Sequence, residues 1–362
     1  MTTTQQQLTP LTLTQLSLHQ FTVDLDKPLP VGKLRIAQRS GLVLSAIASN
    51  STRQQQALVE ISPLSGLDNQ GQALSGFSSE SLADVTQQLS TILPQLQQQS
   101  IDKLLDFAQE STLPSLAFGL SQLHAKLAGK FDGHAIAPRT IPLIYRHNDE
   151  PLSAVSAVSE RVASLADNVY AVKVKVAQDA LEDEIKLIHQ ILAIRPNLKL
   201  RLDANRGFNL EQAIEFAACL PLASIEYIEE PCQNPDDNQA FYQAIEMPWA
   251  LDESLNSPDY QFTMQAGLTA LIIKPMLIGS IEKLQQLIDT ATEHGVRCIL
   301  SSSLEASLGI EALNRLASII TPDEIPGLDT LAAFSQDLVV STGKANCLKL
   351  ADLPLLASTS NS

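Results

Sequence analysis

The chain has 362 residues, a formal net charge of −16 and 44% apolar residues, a balance that describes a folded chain with a sizeable core. The acidic surplus argues against nucleic acid, whose phosphates require a basic face, and against an anionic membrane surface; no run approaches the roughly 18–20 apolar residues of a membrane-spanning helix. No Lys or Arg precedes Lys27, which argues against a signal peptide, and four scattered cysteines without a CxxC pair read as reduced thiols in a cytoplasmic protein.

Aromatics are sparse, at 4%, so the core is expected to be aliphatic. Residues 1–60 read as β-rich. LTLTQLSLHQFTVDL alternates polar and apolar positions as a half-buried strand does, and GLVLSAIAS and QQQALVEIS look like two more strands around a polar turn. Together they predict an antiparallel meander. Over residues 78–130 the period becomes helical. SSESLADVTQQLSTILPQLQQ carries Ser and Glu as a capping box ahead of an apolar face, and PSLAFGLSQLHAKLAGK is a second amphipathic helix closed by Gly129.

From about residue 141 short apolar runs recur: IPLIYR, AVKVKV, LKLRLDA, IEYIEE, MPWALDE, ALIIKP, RCILSSS and PGLDT. Helical stretches separate most of them. In one, SIEKLQQLIDTATEHG, Ser280 is placed to cap the start and Gly295 the end. Regular β–α alternation predicts a parallel sheet with right-handed crossovers, and eight strand candidates suggest closure into a barrel. No glycine-rich phosphate-binding pattern follows any strand, which weighs against a nucleotide-binding doubly wound fold. SQDLVVS is one more strand-like stretch before a polar tail.

Lys175, Asp203, Glu229, Asp252 and Lys274 stand at or near the ends of five successive runs, at gaps of 28, 26, 23 and 22 residues. One strand, one helix and two loops take roughly 20–30 residues, and in a parallel barrel all strand ends meet at one face. Lys173 and Lys175 share a strand face, and Val172, Val174 and Val176 take the other. If the valines pack on helices, the lysines point inward, where they need carboxylates or a substrate. Strand parity alone does not choose between Glu229 and Glu230, nor between Asp252 and Glu253. Three carboxylates from three strands suit a hard divalent cation, Mg²⁺ first and Mn²⁺ as a permissible substitute. The absence of HxH or HExxH spacing among six histidines argues against a histidine-built zinc site. A flanking lysine could then act as base on a carbon next to a carboxylate.

KVK, LDANR, EEPC, LDES and IKP, in this order, resemble the enolase superfamily. VEISPLSG, RLDANRGF, IKPMLIGS, ILSSSLEASLG and PGLDT narrow the resemblance to its o-succinylbenzoate synthase family, of the gamma-proteobacterial type. The resemblance covers about residues 55–335. It implies an α/β architecture with an α+β capping domain (1–135), a (β/α)7β barrel (136–330) and a C-terminal segment (331–362) packing back on the cap. It also implies Asp203, Glu229 and Asp252 as metal ligands, Lys175 as the catalytic acid/base and Lys274 as the lysine on the opposite face. Lys173 matches a lysine supporting the base, and it is placed with Ser301 and Ser302 on the substrate side of the pocket. VEISPLSG and the region around Lys33 and Arg35 match capping loops that close over that pocket. The implied reaction is Mg²⁺-dependent dehydration of a small cyclic carboxylate in menaquinone biosynthesis, by a cytoplasmic monomer. An N-succinylamino acid racemase or dipeptide epimerase on the same scaffold is the alternative.

Overall fold

Three long antiparallel strands open the chain: β1 (Thr12–Val31), β2 (Leu34–Ser49) and β3 (Gln54–Asp68). The computed structural model describes residues 10–31, 34–134, 141–145 and 155–359; Lys33 and Arg146 lie outside them. Asn50 makes the polar turn between β2 and β3, its Oδ1 accepting the backbone N–H groups of Thr52 and Arg53. A fourth strand, β13 (Leu355–Thr359), arrives from the far end of the chain and pairs antiparallel with β1.

One face of this sheet carries Leu16, Leu42, Leu44, Val59 and Ile61. They pack on α1 (Leu82–Leu96), α2 (Lys103–Glu110) and α3 (Pro114–Leu127) in one aliphatic core. Phe21, Val23 and Leu25, of opposite parity to Leu16 and Leu18, face the other side of the sheet and join a different core, with Leu304, Leu308, Phe334, Leu338 and Leu353. Helix α1 starts at a capping box, but its partners are Ser81 and Asp84. Glu80 instead accepts the N–H of Ser115 at the start of α3.

Seven parallel strands follow: β4 (Leu143–Ile144), β5 (Ala171–Lys175), β6 (Lys199–Asp203), β7 (Ile225–Glu229), β8 (Trp249–Leu251), β9 (Leu268–Ile273) and β10 (Arg297–Leu300). They lie side by side in chain order. The connections contain α4 (Val155–Ala163), α5 (Leu181–Ile194), α6 (Leu210–Ala218), α7 (Asn238–Ile245), a short α8 (Pro275–Ile278) and α9 (Ile281–Glu293); α10 (Ser307–Ile320) follows β10. Ser280 caps α9 by accepting the Lys283 N–H, and Gly295 follows it with φ +74°.

The PGLDT run does not form a regular strand, yet it fills the eighth position. Gly327 N–H donates to the carbonyl of Leu300, Ser302 N–H donates to the carbonyl of Gly327, and Ile141 N–H reaches the carbonyl of Pro326. The two edges of the seven-stranded sheet are thereby joined. Beyond it lie the two-residue strands β11 (Asp337–Leu338) and β12 (Cys347–Leu348), which pair with each other. Among the described residues no helix is long and apolar enough to cross a membrane.

Candidate active site

Strand β5 sets the pattern. Val172, Val174 and Val176 are fully buried in the shell shared with Ile188 and Ile191 of α5, each burial worth about 2 kcal/mol. That outward packing turns Lys173 and Lys175 to the barrel interior. Below them a small core of Tyr227, Ala250, Ala270, Ile272 and Ile299 fills the barrel. Arg201, on the interior face two residues before Asp203, is bound by Glu226 at 2.7 Å and lies 5.6 Å from the Tyr227 ring centre.

Parallel pairing then aligns the strand ends. Lys175 stands beside Asp203, Asp203 beside Glu229, and Glu229 beside Ala250, two residues short of Asp252. Asp203, Glu229 and Asp252 are all buried, and one carboxylate oxygen from each lies within 4.8 Å of the others. Lys173 Nζ bridges Asp203 (2.8 Å) and Glu229 (2.5 Å); Lys175 Nζ donates to Asp203 (2.7 Å) and Lys274 Nζ to Asp252 (2.6 Å). All five charged residues singled out at the strand ends therefore meet in one place. In the eight-position ring closed by Gly327, β5 and β9 are four places apart, so Lys175 and Lys274 approach from opposite sides.

Burial alone would raise the Asp203 carboxyl, but the ammonium groups of Lys173 and Lys175 hold it well below the ordinary carboxylate range. Glu229 goes the other way. Burial pushes it up to about 8, Lys173 opposes this, and neighbouring Asp203 and Asp252 add to it. Burial works against the charge on Lys173, yet Asp203, Glu229 and Asp252 hold its ammonium well above the usual lysine value; Lys274 is raised likewise by Asp252 and Glu253. Among the described residues, Asp252 Oδ1 is buried without a hydrogen-bond partner. An all-oxygen donor set, converging and with one buried carboxylate oxygen left unbonded, fits a hard divalent cation.

The two glutamates of EEPC diverge at the end of β7, where successive side chains take opposite faces and Glu230 leaves the strand with φ +39°, a left-handed conformation uncommon outside glycine. Glu229 enters the carboxylate cluster. Glu230, fully buried, accepts the N–H groups of Asp252 and Ser254 and pairs with Arg206 at 3.2 Å, bracing the loop that carries Asp252. Asn205, Arg206 and Leu304 are also left-handed, at φ +43°, +57° and +64°, so backbone strain concentrates around the site.

A cavity of about 750 Å³ opens above the cluster. Lys173, Lys175, Lys274, Ser301 and Ser302 line it, together with Leu29, Val31 and Leu64 from the cap. Ser301 Oγ donates to the carbonyl of Gly327 and Ser302 Oγ to Glu305. VEISPLSG is not a loop. It lies inside β3, where only Leu64 reaches the cavity, and Arg35 likewise sits in β2. Parity left Glu230 and Glu253 only as alternatives to Glu229 and Asp252, and the structure gives them other places: Glu230 braces the loop, and Glu253 accepts from Asn205, a residue the periodicity missed, which itself accepts from Lys175. The signal was present in the polar DANR, EE and DES clusters directly after strands.

Residues 157–344 match the family described as "Enolase C-terminal domain-like", and residues 13–127 match "MenC, N-terminal domain". The o-succinylbenzoate synthase of Enterobacter sp. (strain 638) is 32% identical over 89% of this chain and 92% of that protein. That of Aliivibrio fischeri (strain ATCC 700601 / ES114) is 30% identical over 93% and 95%. The chain belongs to the o-succinylbenzoate synthase family of the enolase superfamily. The family's fold agrees with solved structures. An o-succinylbenzoate synthase from Thermosynechococcus elongatus BP-1, complexed with Mg in the active site, superposes with TM-score 0.66 at 21% identity, covering 86% of this chain and 92% of that one. The L-Ala-D/L-Glu epimerase of Bacillus subtilis superposes with TM-score 0.69 at 17% identity, covering 90% and 92%.

Proposed function

We propose that this lyase removes water from 2-succinyl-6-hydroxy-2,4-cyclohexadiene-1-carboxylate to form 2-succinylbenzoate, in menaquinone biosynthesis, and that it does so with Mg²⁺ held by Asp203, Glu229 and Asp252. The observation that carries the reading is the placement of Lys175 and Lys274 on opposite sides of one buried carboxylate cluster, beneath a cavity of ligand size. When bound, the cation supplies Lewis-acid stabilisation for charge developing on the substrate carboxylate.

Lys175 takes the proton from the carbon bearing the carboxylate. The ammonium of Lys274 faces the other side of the ring and stabilises the negative charge left behind, with a cation–π contribution from the flat ring. The C–O bond to the leaving hydroxyl then breaks as the ring becomes aromatic. Lys175, now protonated and on the same face, gives its proton to the departing hydroxide, so a syn elimination needs one acid/base and releases one water. Lys173, bound between Asp203 and Glu229, keeps positive charge next to Lys175. Ser301 and Ser302 line the substrate side. The −16 charge supports a small-molecule substrate with no nucleic-acid partner; we place the protein in the cytoplasm as a monomer, with Mn²⁺ able to replace Mg²⁺.

Loss of the cyclohexadiene absorbance on mixing with substrate and Mg²⁺, abolished by excess EDTA, is the expected result. Opposed lysines also suit one residue removing an α-proton and the other returning it, so deuterium uptake from solvent into N-succinylamino acids is the parallel assay. Uptake without dehydration would assign the chain to racemase chemistry.

A further inference from the structure

Asn205 is bound at both ends, and its two partners leave no freedom in how its amide is oriented. Lys175 Nζ donates to Asn205 Oδ1 at 2.7 Å, and Asn205 Nδ2 donates to Glu253 Oε1 at 2.7 Å. An amine offers hydrogens to a neighbouring oxygen, and a carboxylate only accepts. With Glu253 ionised, the amide therefore presents its oxygen to the lysine and its NH₂ to the glutamate. The left-handed backbone at residue 205, which Asn tolerates better than most side chains, points this amide across the strand end. Glu253 itself is mostly enclosed, and among the described residues its Oε2 is buried without a partner and Asn205 is its one side-chain hydrogen-bond anchor.

We infer that Asn205, locked by Glu253, is the positioning residue that aims the lone pair of Lys175. The inference rests on the reading of Lys175 as the base. A neutral lysine amine has two hydrogens and one lone pair. Lys175 has two acceptors in place, Asp203 Oδ2 and Asn205 Oδ1, each at 2.7 Å. Two hydrogens on two fixed acceptors leave the lone pair pointing away from both, toward the cavity that Lys175 lines. After proton abstraction the third N–H occupies that same direction, where the departing hydroxyl needs it. Without Asn205 the amine rotates about its last bond, and the productive orientation becomes one of several. Glu253 does not touch the reacting atoms; it keeps the amide from turning its NH₂ toward Lys175.

The test compares wild type, Asn205→Gly, Glu253→Leu, Glu253→Gln and Lys175→Ala on substrate carrying hydrogen or deuterium at the reacting carbon. Mn²⁺ affinity and thermal midpoint are measured on each variant. Glycine accepts φ +43° without strain, so Asn205→Gly removes the amide and keeps the backbone. Asn205→Gly and Glu253→Leu are expected to lose on the order of 10²-fold in kcat, with a larger deuterium effect on kcat and with KM and Mn²⁺ affinity close to wild type. Glu253→Gln still offers an acceptor and is expected to restore most of kcat. Wild-type kcat in Asn205→Gly beside an inactive Lys175→Ala overturns this inference and leaves the base assignment standing. A kcat loss in Asn205→Gly matched by lost Mn²⁺ affinity also overturns it, because the residue would then serve the metal. Turnover persisting in Lys175→Ala sinks the base assignment itself.

Discussion

Arg39 Nε donates to the carbonyl oxygen of Leu304, 2.9 Å away and 265 positions later in the chain. The rest of the guanidinium reaches the carbonyls of Ser62, Pro63 and Ser65 on β3 and of Ser303 beside Leu304. One buried cation thus ties the cap strand to the loop that carries the serines of the cavity wall. Replacing it by lysine removes the planar fork and leaves several buried carbonyls unsatisfied, at about 1–3 kcal/mol each. Arg39→Lys is therefore expected to lower stability by about 3 kcal/mol or more, read as a fall in the urea midpoint, and to raise KM, since Leu64 and Leu304 both face the cavity.

Glu60 completes the same joint by accepting the N–H groups of Ala306 and Gly309 at the start of α10. Burial pushes its carboxyl up to about 7 from an ordinary 4.5; the Ala306 N–H offsets part of this, and Glu305 adds to it. The folded state therefore binds a proton that the unfolded chain releases. The Glu60 contribution is fully present below about pH 4.5 and is lost as pH rises through about 7, a change on the order of 3 kcal/mol. Glu60→Gln does not titrate, so the stability difference between wild type and variant should move in the variant's favour from pH 4.5 to pH 8. Urea unfolding of both proteins across that range checks it, and parallel pH profiles would remove Glu60 from the account.

Gly309 shows how tight this joint is. A Cβ there would lie 2.9 Å from Glu60 Oε2 and 2.6 Å from the Glu305 side chain. Gly309→Ala should cost about 1–3 kcal/mol, visible as a lower thermal midpoint, because the obstructing atoms belong to a fully hydrogen-bonded network and cannot swing aside.

At the reacting centre, Lys175→Ala is expected to reduce kcat by about 10²–10⁴-fold, the usual contribution of a positioned acid/base. Lys274→Ala should lose about 10²–10³-fold through missing charge stabilisation. Mn²⁺ titration of Lys175→Ala should still reach one equivalent, since the carboxylates remain. Turnover near normal in either variant would remove that lysine from the mechanism.

Mg²⁺ should raise the thermal midpoint, because a cation that binds only the folded carboxylate cluster stabilises it by about 2.7 kcal/mol at 100 times its dissociation constant. Asp203→Asn and Glu229→Gln should flatten that response, and Mn²⁺ should reproduce it in wild type. A midpoint indifferent to both cations would contradict the ligand assignment.

What could be read from residues alone was what is local. The KVK alternation places two lysines opposite three valines, and the repeated strand-plus-helix spacing carries the parallel sheet. Parity could not separate Glu229 from Glu230, because which face of β7 turns inward is set by its register with β6, which puts Glu229 beside Asp203, and not by the alternation itself. The capping box was misplaced onto Glu80, since that glutamate serves α3 rather than α1. Arg39 and Glu60 gave no sign of their partners beside α10, which lie about 250 positions away and are chosen by packing between layers. Asn205 and Glu253 sat in plain sight within DANR and DES, but a hydrogen-bond chain across strand ends has no spacing to betray it.

The pairing of Leu16 with Thr359 has a consequence in time. After Leu16 the ribosome must add 343 residues to reach Thr359, roughly 20–70 s of synthesis. Throughout that interval β1 can pair with β2 but presents its other edge to whatever else is in the cell, and the barrel, too, awaits Gly327 before its two borders can meet. The newborn chain therefore carries a bare β1 edge and an unclosed barrel until Gly327 and then Thr359 emerge, and it is in that window that a holdase would find something to hold.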